Sequence, residues 1–133
     1  MKNREELLTE VVRQLQKNYV RFVEIERITK ELGDALSGDD RGSVQLLFGM
    51  RQEEMDRASE GRERIITILE TLEEADQAEL RAILNETDVQ KAEDFESRKI
   101  IELNGQIKSV LNRTISIDKV ISRKLAGEHS YYQ

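Results

Sequence analysis

Val44–Leu72 reads VQLLFGMRQEEMDRASEGRERIITILETL, and the spacing of its apolar residues decides the fold class. Val44, Phe48, Arg51, Met55, Ala58, Arg62, Ile65, Leu69 and Leu72 are separated by alternating steps of four and three. That rhythm keeps one face of an α-helix turned to the same side over many turns, as in a coiled-coil seam. Arg51 and Arg62 interrupt the seam. Their stems are expected to pack while their charges reach acidic side chains at its edge.

The composition agrees with long packed helices. Charged residues make up 36% of the chain and aromatics 5%, with no tryptophan, a balance that does not suit a thick globular interior. No proline occurs, where average usage of ~5% would place about six or seven. Nothing of that kind therefore breaks a helix. A chain of 133 residues is expected to form one helical domain over 1–133.

Residues 3–36 form the first expected helix, with Glu5 and Glu6 in its first turn against the helix dipole. Leu8, Val11, Leu15, Ile25, Leu32 and Leu36 make its apolar stripe, with Phe22 on the same stripe, Val12 and Tyr19 beside it, and Asn18 and Thr29 as polar entries. A buried Asn in such a stripe is a register device. Ser37-Gly38-Asp39-Asp40 closes the helix, Gly38 taking the left-handed position and Asp39 or Asp40 capping the next helix. So short a turn makes the second helix, 40–72, antiparallel to the first. Gly49 and Gly61 within it lower helix propensity or admit a close neighbour. Around Glu73–Glu79 two readings stand: a drift of helix two, or a capping pair Asp76/Glu79 opening a short helix over 76–85. Asn85-Glu86-Thr87-Asp88 reads as a turn and N-cap, followed by the last helix over 88–126. Gly127 ends that helix, leaving 127–133 as a frayed tail. The fold class expected is all-α: an elongated antiparallel bundle of three helices, or four if the short one forms, with coiled-coil-like packing.

The last helix carries two apolar sets. Ile100, Leu103, Ile107, Val110, Thr114, Ile117 and Ile121 repeat the 4-3 ladder, while Phe95, Ile101, Leu111, Ile115, Val120 and Leu125 lie off it. A face wider than one seam needs implies a second surface for a partner. Val110, Leu111, Ile117, Val120, Ile121 and Leu125 are the candidate client-binding residues.

No constellation for chemistry is expected: no catalytic, cofactor-binding or metal site. The chain has no cysteine and one histidine, His129, in the tail, which excludes thiolate chemistry and a two-histidine di-iron site. Clustered glutamates such as Glu53/Glu54 suit a solvated helix face, and no serine has a nucleophile elbow. A formal net charge of −6 argues against nucleic-acid binding. The N-terminal Met1-Lys2-Asn3-Arg4-Glu5-Glu6 lacks a signal core, and no stretch approaches the ~18 apolar residues of a membrane span. The expectation is a cytoplasmic chain without membrane insertion, and the sequons at Asn85 and Asn112 are read as unused.

Leu32-Gly33-Asp34-Ala35-Leu36-Ser37-Gly38-Asp39-Asp40, followed by Val44, Leu47, Arg51, Met55 and Arg62-Glu63-Arg64-Ile65-Ile66, resembles the FlgN family of flagellar type III export chaperones. That family has a leucine-rich helix ending in Ala-Leu-x-x-Asp, a short turn, and a second helix leading to an Arg-x-x-Leu-Leu-like segment. Glu102–Asn112 is similar to its asparagine-containing C-terminal helix, departing at Ile107, where the family often carries a second Asn. The resemblance implies a cytoplasmic, non-enzymatic chaperone. Such a protein binds the C-terminal amphipathic helix of a flagellar hook-associated protein and delivers it to the export apparatus. The alternative from the residues alone is a structural coiled-coil scaffold or adaptor whose extra apolar face closes a homo-oligomer.

Overall fold

The computed structural model describes residues 3–131 and is all-α, with no strand among the described residues. Four helices follow one another: α1 (Arg4–Ser37), α2 (Arg41–Glu70), α3 (Glu74–Asn85) and α4 (Phe95–Tyr131), with a single 3-10 turn at Val89–Lys91 before α4. At 34 residues, α1 is about 51 Å long. It is the central element, packing on α2 along one flank and on α4 along the other. The contacts Asn18–Ala58 and Arg51–Thr29 run in opposite senses along α1 and α2, which are antiparallel. Arg4–Asp94 and Glu26–Arg113 run in the same sense, so α1 and α4 are parallel, as first and last long helices of an up-down-up bundle must be.

The expected bundle is present, with local differences. The turn after α1 is a Schellman closure: Asp39 N–H donates to Leu36 O at 3.3 Å and Asp40 N–H to Ala35 O at 2.9 Å. Asp39, at φ 54, holds the left-handed position instead of Gly38, whose φ is −86. Asp40 caps α2, its Oδ1 accepting from Ser43 N–H at 3.2 Å. Helix two does not drift on past Glu73: α2 stops at Glu70, and α3 begins at Glu74 with no side-chain cap. The capping pair Asp76/Glu79 is not what starts it, because both residues already lie inside the helix. Asp88 caps only the 3-10 turn, accepting from Gln90 N–H at 2.9 Å. The backbone is then extended at Ala92. The last helix therefore opens at Phe95, not at 88, with Asp94 Oδ2 accepting from Ser97 N–H at 2.9 Å. Gly127 does not end α4, which continues to Tyr131. Residues 132–133 of the expected tail, and the side chains of His129 and Tyr131, lie outside what the structure describes.

The core is uneven along the bundle. At the α3 end all four helices contribute: Leu8, Val11 and Leu15 from α1, Ile65 from α2, Leu80 from α3, and Ile100 and Leu103 from α4. At the far end a smaller cluster of Ile28, Leu32 and Leu47 joins only α1 and α2. Arg4 ties the broad end together, donating from Nε to Glu79 at 2.7 Å and from Nη2 to Asp94 at 3.1 Å. The outer edges of both α1 seams carry ion pairs, Arg21–Glu54 at 3.4 Å and Arg113–Glu26 at 2.8 Å. The Arg113 hydrogen bond holds the Glu26 carboxyl below its ordinary range.

Candidate helix-binding groove

Three helices in a closed bundle touch pairwise, at interaxial distances of about 8–10 Å. Here the third contact is missing. No Cα of α2 comes within 8 Å of a Cα of α4 among the described residues, whereas α3 lies against both. The short α3 acts as a wedge at one end, and beyond it α2 and α4 stand apart with α1 as the floor. The result is a groove of about 660 Å³ lined by Leu15 and Phe22 of α1, Met55 and Ile66 of α2, and Ile107 and Leu111 of α4.

The helix phase of α2 explains how the groove arises. Leu47, Ala58, Gly61 and Ile65 are the buried positions of α2, turned toward α1. Ala58 and Ile65 also form the inner edge of the groove, and Met55, Ser59, Arg62 and Ile66 line it further out, rotated from the buried stripe by a fraction of a turn. The apolar ladder of α2 is thus shared between a packed seam and an open wall. Phe48 remains 47% exposed and Met55 41%. On α4, Ile115 follows Leu111 by four residues on the same face and is 49% exposed.

Both ends of the groove are bounded. At the wedge end Asn104 Nδ2 donates to the Leu84 carbonyl of α3 at 3.2 Å. At the other, Arg51 reaches across from α2, donating from Nη1 to Asp118 of α4 at 2.9 Å and to Thr29 of α1 at 3.3 Å. Its side chain is 16% exposed, and its guanidinium lies 5.4 Å from the Phe48 ring centroid, within cation–π range. Arg51 therefore behaves as the sequence implies. Arg62 does not: it is exposed on the groove wall and makes no hydrogen bond or ion pair among the described residues.

The six candidate client-binding residues are not brought together. Val110 is core, 1% exposed. Leu111 lines the groove. Ile117, Val120, Ile121 and Leu125 border a separate hollow on the outer flank of the α1–α4 seam, with Gly33 and Leu36. Residues 110 and 111 lie about 100° apart round the helix, which is enough to send one to the core and the other to the groove. Met55, Phe22 and Ile66 were not among the candidates. The available signal was the second stripe Met55-Ser59-Arg62-Ile66, offset from Leu47-Ala58-Ile65 on the same helix.

Nothing in the site has the arrangement of an acid–base or nucleophilic centre; it is an apolar trough with a few amides and cations. No group of three or more His, Cys, Asp or Glu able to hold a metal occurs among the described residues. No described helix is long and apolar enough to cross a membrane. Comparison with protein-family models, curated proteins and solved structures finds no match to this chain.

Proposed function

We propose that this protein is a non-enzymatic, cytoplasmic chaperone that holds an amphipathic helix of a partner protein in the α2–α4 groove. The observation that carries the reading is that no Cα of α2 comes within 8 Å of a Cα of α4, among the described residues, beside an apolar floor: a three-helix bundle with the place of one more helix left open. An amphipathic helix laid there would reach Leu15, Phe22, Met55, Ile66, Ile107 and Leu111 with anchors at i, i+3, i+4 and i+7. Covering Met55 and Ile115, 41% and 49% exposed, is worth roughly 1 kcal/mol apiece, set against the ordering cost of the incoming segment. The resemblance of Leu32–Asp40 and Arg62–Ile66 to the FlgN family supports a C-terminal helix of a flagellar hook-associated protein as the client, destined for the export apparatus.

Titration calorimetry with C-terminal helical peptides of hook-associated proteins tests this. Saturable binding abolished by Met55→Glu or Leu111→Asp in a still-helical chain is expected. Binding that both variants leave intact would place the client elsewhere, and no binding of any such peptide would remove the reading.

The outer hollow favours a second reading, a homodimerising scaffold. Val120 and Leu125 are 50% and 43% exposed there beside Ile117 and Ile121, a patch suited to self-association. Light scattering separates the two. A tight dimer broken by Val120→Glu, without affinity for any peptide, belongs to the scaffold.

A further inference from the structure

We propose that the groove's occupant is a partner helix of about fifteen residues whose apolar stripe is flanked by acidic side chains. This rests on the helix-binding reading and adds the partner's length and charge, both argued from the walls of the groove. The trough is bounded by Leu84 at the wedge and by the Arg51–Asp118 bridge at the other end. Its α2 lining spans Met55 to Ile66, and the space from the Arg51 bridge to Ile66 is about 22 Å at the helical rise. A straight helix lying along that length has about fifteen residues.

Charge is the second constraint. Arg62 lines the α2 wall. Lys108 and Lys119 stand on α4 at helical spacing from Leu111 and Ile115, so the four share one edge of the helix. All three cations are exposed and without an ion pair among the described residues. Elsewhere in this net-acidic chain the arginines that bridge helices have carboxylates: Arg4, Arg21, Arg51 and Arg113. The carboxylates near the trough do not offset them. Asp118 is held by Arg51, while Asp56 and Glu63 stand further round α2, outside the stripe that lines the groove. An incoming helix therefore meets Arg62 on the α2 wall and Lys108 and Lys119 along the outer edge of α4, which selects Glu or Asp beside its apolar stripe and disfavours Lys or Arg.

Two synthetic peptides of about fifteen residues test the inference on the full chain. Both carry a leucine stripe at three- and four-residue spacing, one with Glu on both flanks and the other with Lys. Fluorescence anisotropy is read at low salt and at about 1 M salt, where the Debye length is about 3 Å. At low salt the Glu-flanked peptide is expected to bind roughly tenfold more tightly, as three exposed pairs imply. The gap should close at high salt, and the triple variant Arg62→Glu, Lys108→Glu, Lys119→Glu should reverse it. Equal affinities at low salt, or a preference the triple variant leaves unchanged, overturns the charge inference while peptide binding keeps the groove reading. Failure of both peptides to bind, binding that Met55→Glu does not weaken, or a dimer that Met55→Glu dissociates overturns both.

Discussion

Asn18 of α1 and Gly61 of α2 interlock: a Cβ built on Gly61 would run into Asn18 Oδ1 and lie 3.0 Å from its Cγ. Asn18 is 6% exposed, and its Nδ2 donates to the Ala58 carbonyl at 3.3 Å. The polar entry in the α1 stripe and one glycine of α2 are thus a single packing device that sets how closely and at what register the two helices meet.

Gly61→Ala forces Asn18 to give up that hydrogen bond or pushes the helices apart. The gain in helix propensity, about 1 kcal/mol, offsets only part of the overpacking and the broken bond. We expect a net loss of about 1–2 kcal/mol in urea unfolding. Asn18→Ala paired with Gly61→Ala should cost less than the sum of the two single changes. Strict additivity would sink the interlock.

Gly49 has the opposite sign. Nothing lies within 4 Å of a Cβ at Gly49 or Gly105, and both sit inside helices. Alanine at either is expected to stabilise by about 0.5–1 kcal/mol, read as a higher denaturation midpoint at unchanged slope. A lowered midpoint would mean that a partner or a neighbour occupies that space.

The turn at Asp39 offers a second gain. An L-residue at φ 54 carries a steric cost that glycine lacks. Its one ion pair, to Arg41 at 3.9 Å, is almost fully solvated and worth little. Asp39→Gly should raise thermal stability by about 0.5–1 kcal/mol. The neighbouring glycine does not hold the left-handed position: Gly38 has an ordinary negative φ, so Gly38→Ala should be close to neutral.

Asp94 is one of the carboxyls that make stability depend on pH, and its shift is a large one. Burial alone would raise its carboxyl. Hydrogen bonds from the Ser97 N–H and hydroxyl and from Arg4 overcome that and hold it at about 2, against an ordinary 3.8. A depressed carboxyl stabilises the fold above its unfolded pKa and loses that contribution as pH falls through the folded one. The loss therefore falls between about pH 4 and pH 2. For a group about one-third exposed, screening reduces the contribution to about 1 kcal/mol. Asp94→Asn should lower stability at pH 7 by about that much and flatten the acid limb of the stability curve. A variant with an unchanged acid limb would contradict the assignment.

Leu111 and Ile121 should separate binding from folding. Ile121 packs on Gly33, its Cδ1 only 3.2 Å from where a Cβ there would sit, so Ile121→Asp is expected to loosen the α1–α4 seam by about 2 kcal/mol or more. Leu111 is half-buried on an open wall. Leu111→Asp should cost less stability than Ile121→Asp while removing peptide binding. Chemical denaturation together with peptide anisotropy reads both. Equal destabilisation would show that Leu111 belongs to the closed core.

Much of this fold was legible in the chain. The 4-3 ladders, the absence of proline and the Ser37–Asp40 turn are local features. They act through backbone sterics and hydrogen bonds within a few residues, so they specify helices and the reversal after α1 without reference to the rest of the molecule. The opening of α4 at Phe95 was harder to read because Asp88 and Asp94 are both competent caps, and only the extended backbone at Ala92 assigns them to different elements. The groove was not legible. An apolar stripe about 100° wide names a face of a helix and leaves open which neighbour will cover which part of it. The wedge of α3 between α2 and α4 settles that by non-local packing. Packing on α1 buries Leu47, Ala58 and Ile65, while the gap between α2 and α4 leaves Met55 partly exposed, Val110 turned inward and Leu111 on the open wall, and gives Arg51 but not Arg62 a carboxylate across it.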